Sequence, residues 1–178
     1  MIKQRLVILS DLWGKQNNDW VGFYFNRLND HFNCIYYDVR ELASIKEINL
    51  SEEEIHEKFV NGGIEKAVEN LIEKEKKQII VLAFSVGGTI AWKAALKGLP
   101  LTNMIAISST RLRKEYQKPP YKIQLHFGDQ DLNRPTDEWF EELEIFPEIH
   151  FGKEHEMFKE ENFANQICTQ LFSDFFIK

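Results

Sequence analysis

The stretch that most constrains this chain is residues 78–98, "QIIVLAFSVGGTIAWKAALKG". Ile79–Phe84 is an unbroken apolar run. It is the length of a strand, is β-branched at its start and offers no polar face. That is the signature of a strand covered on both sides, which antiparallel sheets with one wet face rarely show. Ser85 and Gly87-Gly88 then break the run, and a helical segment follows as far as Gly98, a natural stop. The break raises a chemical question: a lone serine stands where a buried strand turns into a helix.

The rest of the chain repeats this rhythm. Apolar runs at 5–10, 33–39, 103–108, 122–128 and 148–152 read as further strands. Segments 19–32, 64–75, 136–144 and about 156–176 read as helices. In 64–75 the residues Ile64, Ala67, Val68, Leu71 and Ile72 follow the spacing of a one-sided helix. In the last helix Phe163, Ile167, Leu171 and Phe175 form the inner side. Ser51 and Glu54 make a capping box at the head of the acidic run 51–57, whose carboxylates read as a solvated helix start. Alternating strands and helices predict an α/β fold. The expected architecture is a three-layer sandwich, a mostly parallel sheet of about six strands with helices on both faces.

With no repeat or low-complexity linker, the 178 residues read as a single domain, 1–178. A formal charge of −6 argues against a nucleic-acid partner, which needs a basic face. The basic string 111–118 is short and reads as a solvated loop. No apolar run reaches the length of a membrane span, and "LVILS" is too short for the core of a signal peptide. The expectation is therefore a cytoplasmic protein with no membrane partner, in which the sequon at Asn49 has no meaning. Cys34 and Cys168 fit no CxxC or metal spacing and read as buried, reduced thiols. Neither GxxxxGK[ST] nor GxGxxG occurs, so phosphate-cradling nucleotide binding has no support.

In open parallel sheets, functional groups gather outside the carboxyl ends of the strands. Here those ends carry "SDLWGKQN" after the first strand, Ser85 after the third, "GDQD" after the fifth and "GKEHEMF" after the sixth. A serine, an acid and a histidine thus appear in that order. A serine hydroxyl is a poor nucleophile until a base takes its proton. Histidine can do so near neutral pH, and a carboxylate on its other nitrogen fixes the tautomer. Small residues two places before and after the serine, Ala83 and Gly87, suit the tight elbow such a nucleophile needs.

On these residues the chain resembles the α/β-hydrolase superfamily, from "LVILSDLWG" through "AFSVGGTIAWKAAL" and "HFGDQDLNRP" to "GKEHEMF". The resemblance implies Ser85 as nucleophile and His155 as base. It implies Asp131 as the acid of a G-x-x-D pattern, with Asp129 as the rival that would otherwise brace the turn. It also implies an oxyanion hole from the amides of Val86 and of Leu12 or Trp13. Where many members have His-Gly after the first strand, this chain has Asp11-Leu12, which puts a bulky residue beside the hole. Trp13 and Phe84, which flank the hole, are the candidates for the substrate pocket.

His126 and His150 lie inside apparent strands and read as packed in the sheet or at its edge. "HFGKEH" with the nearby aspartates matches no familiar ligand set, so no metal and no cofactor are expected. The gap 109–121 is too short for the cap domain that members of the superfamily commonly insert. The expectation is a minimal, capless hydrolase with an open, shallow site, over which the segment 40–62 is the one that can fold. Its expected activity is cleavage of a small carboxylic ester or thioester through an acyl-enzyme. Two alternatives stay open: a hydrolase-fold module that senses a ligand or binds a partner protein, and an acyltransferase using the same three residues.

Overall fold

The computed structural model describes residues 3–176. Its strands are β1 (Arg5–Leu9), β2 (Asn33–Tyr37), β3 (Ile79–Phe84), β4 (Leu101–Ile107), β5 (Lys122–Gly128) and β6 (Glu148–His150). Its helices are α1 (Val21–Leu28), α2 (Val39–Leu42), α3 (Glu52–Lys58), α4 (Ile64–Lys74), α5 (Val86–Leu96), α6 (Asp137–Glu142) and α7 (Glu161–Phe176). The six strands form one sheet in the order β2-β1-β3-β4-β5-β6, and every pairing is parallel.

β3 sits inside the sheet, and its alternation divides the core. Ile79, Val81 and Ala83 join Val7, Leu9, Met104 and Ala106 against α3, α4 and α5. Ile80, Leu82 and Phe84 join Leu6, Ile8 and Ile105 against α1 and α7. Helices thus cover both faces, as the unbroken apolar run requires. Between β4 and β5 the chain makes only one short turn, Leu112–Lys114, so no cap is inserted there.

Several elements are shorter than their apolar patterns suggest. β2 stops at Tyr37 because the Asp38 side chain accepts from the N–H groups of Arg40 and Glu41 and starts α2, a helix too short to show a period. α1 ends at Leu28, after which the chain turns to bury Phe32. β6 ends at His150, and a 3₁₀ turn over His155–Lys159 precedes α7. The Ser51–Glu54 capping box is present at the head of α3. Cys34 and Cys168 are both buried and free, and burial pushes their thiols up to about 11 and about 12. Among the described residues no helix is long and apolar enough to cross a membrane.

Candidate active site

The elbow at Ser85 is built by close approach. Ser85 has φ 51° and ψ −124°, a conformation that L residues rarely hold and that surrounding structure must enforce. Its N–H donates to the Ile107 carbonyl at 3.0 Å, and its carbonyl accepts from Gly88 at 3.0 Å and Thr110 at 3.3 Å. A Cβ on Gly87 would lie 2.5 Å from the Ser10 carbonyl oxygen, so only glycine lets the start of α5 pass the end of β1 this closely.

The other two residues arrive from β5 and β6. A Cβ on Gly128 would lie 2.1 Å from the Lys153 carbonyl oxygen, so this glycine lets the segment after β6 close over the end of β5. That closure brings His155 to Ser85. Ser85 Oγ lies 3.1 Å from His155 Nε2, and His155 Nδ1 lies 3.0 Å and 3.1 Å from the two oxygens of Asp131. Asp131 is buried and also accepts from the Asn133 N–H at 2.9 Å. Asp129 is exposed and turned to other work: its Oδ1 accepts from the N–H groups of Gly152 at 2.8 Å and Lys153 at 3.3 Å. Of the two aspartates in "GDQD", Asp131 meets the histidine and Asp129 braces the turn.

Ser85 and His155 open onto a cavity of about 780 Å³, to which Leu12, Val86, Phe59 and Arg111 also contribute. One wall comes from α3, with Glu53, His56 and Glu57, so the later part of the segment 40–62 lines the site. No motif marks these wall residues, because a capped acidic helix looks the same whether it faces water or a cavity. Arg111 has φ 64° and lies in the turn beyond the end of β4 at Ile107; its neighbours offer no motif.

Two expected positions fall elsewhere. Phe84 is fully buried against Trp20, Tyr24 and Phe158 on the α1–α7 side, and it does not line the cavity. Strand alternation sends it to the face opposite Ala83. Trp13 packs against the edge of the core on the α4–α5 side and does not line the cavity either. Its backbone N–H is taken by Asp11 Oδ1 at 3.1 Å, so it is no free donor for an oxyanion. Leu12 remains beside the cavity, together with Val86, the first residue of α5, whose N–H has no partner within its own helix.

Asp11 marks the departure from His-Gly after β1, and its environment is unusual. It is buried, and burial pushes its carboxyl up to about 6, against the opposing charge of Lys159 and the Trp13 N–H.

A strained serine, a histidine and a buried acid thus meet at the carboxyl edge of a parallel sheet. The fold has known relatives in structure. The chain is similar to a protein of Xanthomonas campestris pv. campestris assigned to the α/β hydrolase superfamily (TM-score 0.68, 12% identity, 97% of this chain and 99% of that one). It is similar also to a Klebsiella pneumoniae protein assigned as a dienelactone hydrolase (TM-score 0.70, 11% identity, 99% and 88%). A third is an α/β hydrolase enzyme from the metagenome of Mar Chica lagoon sediments (TM-score 0.66, 18% identity, 97% and 91%). No family model and no curated protein matches the sequence. At these identities the likeness is one of architecture: the chain has the α/β-hydrolase fold, in a minimal form without a cap.

Proposed function

We propose that this protein is a serine hydrolase that cleaves small carboxylic esters or thioesters. The observation that carries the reading is the unbroken relay from Ser85 Oγ through His155 to Asp131, with the serine held on a strained elbow. The Ser85 hydroxyl gives its proton to His155 Nε2 as Oγ bonds to the acyl carbon. Asp131 accepts from His155 Nδ1 and stabilises the imidazolium that forms. The amides of Val86 and Leu12 donate to the developing oxyanion. In enzymes of this kind, losing one such donor costs about 10²–10³ in turnover. As the tetrahedral species collapses, His155 returns the proton to the departing alcohol or thiol. Water, deprotonated by the same ring, then releases the acid. Nothing in this sequence of steps calls for a cofactor.

The test is labelling with a fluorophosphonate, followed by mass mapping of the adduct. Wild type should be labelled on Ser85, Ser85→Ala should not react, and His155→Ala should react at least about a hundredfold more slowly. A folded wild type that stays unlabelled would remove the nucleophile and leave a ligand-sensing module as the better reading. An acyl-enzyme that forms rapidly but yields to an added alcohol or thiol far faster than to water would favour the acyltransferase.

A further inference from the structure

β5 and β6 bring together a second group of chemistry-bearing side chains, none of which lines the Ser85 cavity. His126 and Glu148 are register partners across the two strands, and His150, two residues along β6, projects from the same face. His126 Nδ1 lies 3.1 Å from His150 Nε2 and 3.6 Å from Glu148 Oε2. One nitrogen or oxygen from each of the three lies within 4.8 Å of the others.

The surroundings bear on what this cluster can bind. His126 is fully buried, and its Nε2 has no partner among the described residues, so its polar contacts there all run towards His150 and Glu148. Phe163 stands edge-on to both rings and backs them with apolar surface. Imidazole nitrogens offer lone pairs to a metal ion, and the three donors converge on one point beside this apolar backing.

Spacing and donor type then decide the cation. Bonds of roughly 2.0–2.1 Å at tetrahedral angles set neighbouring ligand atoms about 3.4 Å apart. The two separations from His126, 3.1 Å and 3.6 Å, bracket that value, and all three atoms lie within 4.8 Å of one another. Two imidazoles and one carboxylate suit a borderline divalent ion, whereas calcium and magnesium prefer all-oxygen shells. We propose that His126, Glu148 and His150 form a binding site for a zinc-type divalent metal, with water in the outward fourth position.

The two ring planes are nearly parallel, at 22°, and the facing nitrogens lie at hydrogen-bond distance, 3.1 Å, so without an ion one ring donates to the other. Half-buried His150, on the edge strand, turns so that both lone pairs meet the ion. The ring that donated carries its proton on its other nitrogen instead, and no net proton leaves. The site would clip the three-residue β6 to β5. Those are the strands that deliver His155 and Asp131, although the proposal stands apart from any reading of Ser85.

Metal-stripped, untagged protein titrated with Zn²⁺ and Co²⁺ tests this. The expected result is one equivalent bound, a tetrahedral Co²⁺ absorption band and a rise in Tm, with no response to Ca²⁺ or Mg²⁺. His126→Ala risks misfolding, so the edge residues carry the test. His150→Ala and Glu148→Gln should each weaken zinc binding, the former by at least about a hundredfold, while His155→Ala binds as wild type does. Absence of stoichiometric binding, or binding lost in His155→Ala but kept in both edge variants, would overturn the proposal.

Discussion

The loops after β5 and β1 each bury one aspartate beside the same cavity, and they treat it differently. Asp131 is 5% exposed and Asp11 is 3% exposed, so desolvation bears on both. Asp131 is compensated: both its oxygens face His155 Nδ1, and the Asn133 N–H adds a third contact. Among the described residues the Asp11 carboxylate has one hydrogen bond, from the Trp13 N–H, and feels the Lys159 ammonium only through space. Burial alone therefore does not tell a working carboxylate from a costly one; the partners do. The first loop spends its carboxylate on the backbone of the turn that leads into Leu12. The second spends it on a ring that can carry charge.

The largest effect should come from breaking the second loop. Asp131→Asn keeps the shape but removes the charge that fixes and stabilises the His155 ring. On the proposed mechanism, kcat should fall by about 10³–10⁴ with little change in KM, since the loss lies in the transition state. Steady-state kinetics on a p-nitrophenyl ester would check it. A loss under tenfold would mean that His155 works without this carboxylate.

Asp11→Asn should act in the opposite sense, on stability. The folded chain holds this proton to about pH 6, whereas the ordinary value is 3.8. Between those values the folded state binds more protons than the unfolded one, so Asp11 costs stability as pH rises through the window. Above it the cost is complete, on the order of 3 kcal/mol before allowing for the new amide donors. Asparagine still offers an oxygen to the Trp13 N–H. The variant should thus match wild type below about pH 4 and exceed it by about 1–3 kcal/mol at pH 8, read by urea denaturation at both pH values. A gap that did not change with pH would show that Asp11 is ionised freely and that the two loops are not as different as their contacts suggest.

Much of this contrast was legible in the residues, and the exceptions have physical causes. The run Ile79–Phe84 announced a strand buried on both faces, and the parallel sheet follows from that requirement. Ser85, Asp131 and His155 were legible because an elbow, a G-x-x-D turn and a pre-helical histidine are local patterns that the sheet then brings together. Phe84 adjoins the serine in sequence but faces away from the cavity, because next to Ala83 on a strand it must point to the other face of the sheet. Trp13 differs from Phe84 in its cause. Whether its amide is free depends on the Asp11 side chain, and no spacing rule encodes that contact. The walls from α3 and Arg111 come from segments whose position over the site is set by packing across the sheet, which leaves no local mark. His126 and Glu148 are neighbours only through the β5–β6 register, so their juxtaposition is invisible in one dimension.

The smallest effect should come from Asp129, and it sharpens the comparison most directly. Asp129 is nearer the strand than Asp131, and by sequence alone either could have served His155. In the structure it is exposed and holds two backbone N–H groups, of Gly152 and Lys153, in the loop that carries the histidine. Asp129→Ala removes those acceptors from N–H groups that water can reach, so the cost in stability should be about 1 kcal/mol. Activity should fall by no more than about threefold on the proposed mechanism, because the His155–Asp131 contact does not run through Asp129. Paired with Asp131→Asn under the same assay, the two variants separate the acid that meets the ring from the acid that holds its loop. Equal losses would mean that loop position, rather than the charge on Asp131, limits the reaction.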